Sequence, residues 1–154
     1  MKIAYFGLPL GALLLLQDGH DLGPIVLSPV DAPGRRRLSR LAPRLLDTAT
    51  SDDAAVDDAM SAEQPDLLIS WFWTRKLPPR WLEQPRLGAI GAHPSLLPRH
   101  RGPNPYFWSI DAGDAGVGVT IHRLDEEYDT GRMLAWRSMK TGERDAWQLA
   151  RALD

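Results

Sequence analysis

A chain of 154 residues with 44% hydrophobic content is long enough for one domain with a buried core. Its net charge of -2 gives no global basic excess of the kind that points to nucleic acid. The absence of cysteine excludes disulfides, thiolate metal sites and cysteine nucleophiles.

Lys2 to Phe6 is short and apolar and stops at Gly7, which predicts a buried strand. Pro9 suits a first helical turn, Gly11 to Gln17 continues as helix, and Gly19 is a stop signal. Pro24 to Ser28 is the next buried strand, so the opening is a βαβ unit with parallel strands. The turn Gly7-Leu8-Pro9-Leu10-Gly11 is neither a Gly-x-Gly-x-x-Gly fingerprint nor a Walker loop. Its glycines are read as turn and cap or as ligand contacts. Leu8 to Leu16 is too short to span a bilayer, and no small-x-small cleavage site follows it. The expectation is a cytoplasmic chain with no membrane partner.

Arg35, Arg36, Arg37, Arg40 and Arg44 fall on a predicted helix. A solvated face is the ordinary reading, and a clamp for a phosphate-bearing substrate is the alternative. Asp52, Asp53, Asp57 and Asp58 lie on the following helix and favour its N-terminus. Leu67 to Trp73 predicts a buried strand ending in aromatic residues, which either pack in the core or wall a flat heterocycle. Pro78 and Pro79 open a short helical turn around Trp81. Gly88 to His93 is a strand with two glycines, a sign of close approach by backbone or ligand. Asn104 to Asp111 is read as a helix closed by Gly113. Val117 to Arg123 and Arg132 to Ser138 are strands joined too closely for a parallel crossover, so they pair antiparallel. Glu143 to Leu153 is the last helix, with Glu143 and Asp145 in its first turn.

Three features converge at one sheet end if the strand order is normal. His93 ends one strand, Asp125 to Asp129 fills the loop after another, and Ser70, Trp71 and Phe72 end a third. A histidine beside a carboxylate is a general acid/base pair in outline, and the carboxylate is expected to raise the imidazole pKa. None of the four histidines forms the His-x-x-x-His pair of a helical zinc site, and no metal is expected.

The run His93-Pro94-Ser95-Leu96-Leu97-Pro98-Arg99-His100-Arg101-Gly102 is followed by Gly118-Val119-Thr120-Ile121-His122 and then by Asp129-Thr130-Gly131. In these pieces, their order and their spacing the chain resembles the folate-dependent formyltransferase family. That family includes the glycinamide ribonucleotide, methionyl-tRNA and sugar-nucleotide N-formyltransferases and the formyltetrahydrofolate hydrolases. Met1-Lys2-Ile3-Ala4-Tyr5-Phe6-Gly7 and Leu87-Gly88 fit it as well. The resemblance implies an α/β, Rossmann-like formyltransferase fold with a mostly parallel central sheet and an antiparallel strand pair near the C-terminus. It implies one catalytic domain over residues 1–154, without the family's usual C-terminal extension.

The same resemblance implies 10-formyltetrahydrofolate as cofactor and attack of an acceptor amine on its formyl carbon. His93 and Asp129 match the family's catalytic histidine and aspartate. Gly91 stands where the family has asparagine, so one oxyanion donor is absent. Asn104 and His122 are the residues weighed as replacements, with Asn104 read as a cap or turn residue. Trp71, Phe72, Leu87, Ile121, Asp125 and Tyr128 are implied to hold the pterin, and Ser95, Arg101 and Gly102 the acceptor. The expected acceptor is a small-molecule amine, such as an amino sugar nucleotide, rather than a nucleic acid. A folate- or ligand-binding relic without catalysis is the alternative, and hydrolysis of the cofactor is the third reading. Oligomeric state is left open by the sequence.

Overall fold

The computed structural model describes residues 1–42, 45–47 and 52–154. Arg44, read with the arginine helix, lies outside the described residues. The chain divides into two compact units, Met1–Ala89 and Ile90–Asp154.

The first unit runs β1 (Lys2–Gly7), α1 (Pro9–Gln17), β2 (Asp21–Leu27), α2 (Arg35–Leu41), β3 (Leu45–Asp47), α3 (Asp53–Glu63), β4 (Leu67–Trp71) and α4 (Pro79–Glu83). Its strands lie in the order β3-β2-β1-β4, and β1 pairs parallel with both β2 and β4. The short apolar strands and intervening helices leave no other pairing open, because two-residue hairpins cannot join parallel strands. Ile3, Phe6, Leu27, Leu38, Met60 and Leu68 are buried almost completely. Each such side chain contributes about 1.5–3 kcal/mol of burial. Phe6 packs edge-on to Trp73 and obliquely on Trp81, both with ring centroids 5.4 Å away.

Gly7 is required by close approach rather than by ligand contact. A Cβ there would lie 1.9 Å from the Trp71 carbonyl oxygen. The turn that follows is closed by Leu8 N–H donating to that oxygen at 3.2 Å and by the Tyr5 hydroxyl donating to the Leu8 carbonyl at 2.5 Å.

The helix α2 presents Arg36, Arg37 and Arg40 to solvent. Arg35 turns back to the Asp47 carboxylate and to the Ser28 carbonyl at 2.9 Å. The strand expected to reach Trp73 ends at Trp71, because Phe72 adopts a left-handed φ of 52° that breaks the extended run.

The second unit holds all but the first residue of β5 (Ala89–His93), followed by α5 (Pro105–Asp111), β6 (Gly116–Arg123), β7 (Met133–Lys140) and α6 (Ala146–Leu153). The strand β6 pairs antiparallel with both β5 and β7. The fold is therefore the α/β, Rossmann-like class expected, with parallel strands in the first unit and an antiparallel ladder in the second. The last helix begins later than the sequence suggests. Asp145 is its N-cap, accepting from Gln148 N–H at 2.8 Å while the Gln148 side chain accepts from Asp145 N–H at 3.0 Å. This reciprocal capping fixes the start and leaves Glu143 outside. Among the described residues, no helix is long and apolar enough to cross a membrane.

Candidate active site

The end of β5 places His93 on the same strand face as Gly91, two residues earlier. Opposite Gly91, in antiparallel register, stands His122 of β6. Two polar members of β6, Thr120 and His122, are also two apart, and both are buried at 1% exposure. Between them the β6–β7 ladder shifts register, at Ile121 and His122. Such a bulge re-aims the strand end where the loop to Asp129 begins.

That loop builds itself. Asp125 Oδ1 accepts from Thr130 Oγ1 at 2.8 Å and from Glu127 N–H at 3.2 Å. Arg123 N–H donates to the Arg132 carbonyl at 2.9 Å across its base. A Cβ on Gly131 would lie 1.9 Å from the Arg123 carbonyl oxygen, so only glycine lets the two loop ends meet. Asp129 itself has a φ of 54°, a conformation that aspartate tolerates better than most residues.

Asp129 reaches three groups. His93 Nδ1 lies 3.3 Å from its Oδ2, and His122 Nε2 lies 3.4 Å from its Oδ1. Gly102 N–H donates to Oδ2 at 2.8 Å. His93 Nε2 donates to the His100 carbonyl at 2.9 Å, since a carbonyl can only accept.

The loop from His93 to Gly102 is pinned along its length. Thr120 Oγ1 donates to the Ser95 carbonyl at 2.7 Å and accepts from Leu97 N–H at 3.1 Å. Ser95 Oγ donates to the Arg99 carbonyl at 2.7 Å. Arg99 and His100 both meet the Asp114 carboxylate, the latter at 2.7 Å. The Leu97–Pro98 peptide is cis.

Burial decides the electrostatics of His93. Desolvation of the imidazolium, opposed by the His100 carbonyl and the Asp129 charge, holds its pKa below the ordinary 6.5. The sequence expectation of a raised value is therefore corrected: an ion partner is visible in sequence, but depth is not. For Asp129, burial works to raise the pKa, yet His122, His93 and the Gly102 N–H together keep it below the ordinary range. The pair is a neutral imidazole beside a carboxylate, which suits a base.

Gly91 is not an open gap. A Cβ there would lie 2.7 Å from Leu124 Cδ2 and 3.3 Å from His122 Nε2. The space beside the missing side chain is filled by those two groups. Asn104 sits in the N-cap position of α5 with a φ of 56° and makes no side-chain cap bond.

The other predicted residues divide by unit. In the first, Trp71 and Phe72 are half-buried with ring centroids 6.0 Å apart, and Leu87 is exposed. In the second, Ile121 is half-buried, while Asp125 and Tyr128 are exposed on the loop. Ser95 is 1% exposed, with its hydroxyl proton engaged by Arg99. Arg101 is exposed and has no ion-pair partner among the described residues. The structure thus gathers His93, Asp129, Gly91 and Gly102, and it adds His122, Thr120 and Asp114. His122 is already visible in the sequence as a candidate donor, and its alternation with Thr120 in β6 is the signal that finds the latter. Asp114 carries no such signal.

Comparison with known proteins matches residues 34–148 to the family model for formyl transferase. A methionyl-tRNA formyltransferase of Ralstonia nicotianae is 34% identical, covering 94% of this chain and 51% of that protein. One from Bordetella pertussis is 36% identical over 92% of this chain and 53% of its own length. The crystal structure of phosphoribosylglycinamide formyltransferase from Bacillus halodurans superposes with a TM-score of 0.81 at 21% identity, over 99% of this chain and 87% of that one. The chain spans about half the length of the methionyl-tRNA formyltransferases it matches.

Proposed function

Because the chain belongs to the formyl transferase family, we propose that it transfers a formyl group from 10-formyltetrahydrofolate to a primary amine. The observation that carries this reading is the buried His93–Asp129 pair at the end of β5, with Nδ1 and Oδ2 3.3 Å apart. The donor set fits the cofactor, because exchange at a formyl carbon between two nitrogens needs a group that takes and returns one proton. When bound, the cofactor would supply the formyl carbon, and the residues of the site would move the one proton that passes from the acceptor amine to the departing folate nitrogen.

His93 is the group proposed to accept and return that proton; for this its ring proton must move to Nδ1 against Asp129, which frees Nε2 from the His100 carbonyl. Asp129 orients the ring and compensates the charge it gains. The carboxylate is itself anchored by Gly102 N–H, which supports a fixed geometry. Within the second unit, Ile121, Asp125 and Tyr128 are proposed to contact the pterin. Asp125 acts there through loop shape, because its carboxylate is engaged within the loop. Arg101, exposed and without an ion pair, is proposed to meet an anionic group of the acceptor. A small-molecule amine remains the proposed acceptor. The relatives named for methionyl-tRNA, together with the exposed Arg36, Arg37 and Arg40, favour testing a tRNA-borne amine beside it.

The test is incubation with 10-formyltetrahydrofolate and a panel of amines: amino sugar nucleotides, glycinamide ribonucleotide and methionyl-tRNA. Mass spectrometry then follows formyl gain by the acceptor. Acceptor-dependent formylation is expected, and free formate without an acceptor would indicate hydrolysis instead.

One observation favours a second reading, a folate binder without turnover: the repacking around Gly91 removes a donor and fills its place. Saturable quenching of tryptophan fluorescence by 5-formyltetrahydrofolate, with no transfer to any amine, is its signature. Gly91→Asn requires a shift of the Leu124 side-chain end, which lies 2.7 Å from the new Cβ. With Leu124→Ala added, restoring one oxyanion donor is worth up to about 10²–10³-fold in rate if the rest of the site is competent.

A further inference from the structure

The ring of His93, kept neutral by burial, has one proton and two groups that compete for it. Nε2 faces the His100 carbonyl at 2.9 Å, and Nδ1 faces Asp129 Oδ2 at 3.3 Å. A carbonyl only accepts, so the resting proton is on Nε2. That nitrogen, the one that must become free in the proposed transfer, is covered by backbone. Whatever sets the carbonyl decides how firmly His93 is held at rest.

The carbonyl belongs to a residue in an uncommon conformation. His100 has a left-handed φ of 52°, which a residue with a Cβ keeps when its surroundings hold it there. The chain is tied on either side. Ser95 Oγ donates to the Arg99 carbonyl at 2.7 Å, and Gly102 N–H donates to Asp129 at 2.8 Å. Between these ties, His100 is held by its own ring, which donates from Nε2 to Asp114 Oδ2 at 2.7 Å. The Arg99 guanidinium meets the other oxygen of that carboxylate. Asp114 is fixed in turn. Its side chain is 7% exposed, its N–H donates to the Ser109 carbonyl at 2.9 Å, and its carbonyl accepts from Thr141 Oγ1 at 2.5 Å.

We infer that Asp114 is a positioning residue that, through His100, latches His93 in its resting tautomer and so favours an amine over water as the group that receives the formyl. The choice between amine and water rests on the function proposed above, whereas the latch does not. Freeing Nε2 costs one hydrogen bond. An acceptor amine brings the binding energy of the rest of its molecule to displace the carbonyl, and water brings none. With the latch lost, water competes better. Water would then give up one proton, carried by His93 to the departing folate nitrogen, while its oxygen takes the formyl carbon and leaves as formic acid. The carbon–nitrogen bond that breaks is the same in both reactions.

The first test is nitrogen-15 correlation NMR of the histidine rings in the full chain, without ligand, at pH 7.5. His93 is expected as the Nε2–H tautomer. Asp114→Ala and, independently, His100→Ala should move it toward Nδ1–H. His100→Gln, which keeps an amide donor near the place of Nε2, should largely retain the resting form. A parent His93 in any other form overturns the latch. So does a His93 that ignores both alanine variants while their amide spectra remain those of the folded chain. The second test is the ratio of free formate to formylated acceptor made from 10-formyltetrahydrofolate. Asp114→Ala should raise that ratio about 2–10-fold, the rate equivalent of one ordinary hydrogen bond. Equal falls in both products, the result of a merely structural loss, overturn the role in choosing the acceptor. A parent chain that formylates no amine refutes the proposed function and that role together, while the latch is judged on the tautomers alone.

Discussion

Two strand ends, that of β1 and that of β5, meet the same requirement in opposite ways. Each must turn the chain out of a sheet without leaving buried polar groups unpaired. After β1, backbone closes on backbone: Gly7 lies against the Trp71 carbonyl, and the Tyr5 hydroxyl reaches only to Leu8. After β5, side chains do the closing. His93, Ser95 and His100 each bond to groups in or beyond the loop. A junction satisfied by its own backbone offers no titratable group, whereas one satisfied by imidazole and carboxylate gains chemistry as a by-product of its folding. The first turn, where many α/β folds hold a ligand, is filled by its own residues here.

The comparison is broken most severely at His93. His93→Ala should cost about 10²–10⁴-fold in the proposed transfer rate, together with about 1–3 kcal/mol of stability because the His100 carbonyl loses its buried donor. A rate measured with and without the variant at saturating cofactor checks this. A stability effect alone is expected at the other strand end. Gly7→Ala forces a Cβ to within 1.9 Å of a carbonyl oxygen. It should cost about 3 kcal/mol of stability, measured by urea unfolding.

Thr120→Val sharpens the contrast at lower amplitude. It keeps the shape of the side chain but leaves Leu97 N–H and the Ser95 carbonyl without their buried partner. The expected loss is about 1–3 kcal/mol, accompanied by faster hydrogen exchange at the Leu97 amide.

The smallest effect is that of pH. His93 and Asp129 bind protons more weakly in the folded chain than at their ordinary values of 6.5 and 3.8. The unfolded chain therefore takes up more protons as the solution is acidified, and stability falls with falling pH. The His93 contribution is complete above about pH 6.5 and is lost as pH drops through its lower folded value; that of Asp129 is complete above pH 3.8 and lost below. Urea midpoints at pH 5 and 7.5 should differ in the parent chain and differ less in His93→Gln.

Much of this was legible in the residues. The apolar runs at Lys2–Phe6 and Leu67–Trp71 and the βαβ spacing of the opening give the parallel half. The short link before Arg132 gives the antiparallel half. The pairing of His93 with Asp129 was legible because a whole motif carries it. The short strand β3 was not, since three residues beside an arginine helix show no period. The stop at Trp71 was hidden because nothing in Trp-Phe-Trp announces a left-handed Phe72. The sign of the His93 shift was hidden for a deeper reason: a charged neighbour can be read from spacing, but the depth that outweighs it is a property of the assembled unit. Gly91 was legible as a missing amide, yet not as a place taken by Leu124 and His122, because cross-strand neighbours are set by register.

Thr120 has a consequence for the order in which this molecule can be made. Its hydroxyl holds the Ser95 carbonyl across 25 residues of chain. Closing so long a loop costs entropy that only later contacts repay. The segment around His93 therefore emerges in synthesis, and collapses in folding, before the strand that gives it its shape has joined it. A peptide cut to residues 88–102 would carry the whole His-Pro-Ser-Leu-Leu-Pro signature and none of its geometry. The geometry around His93 is complete only once β6 has joined its strand.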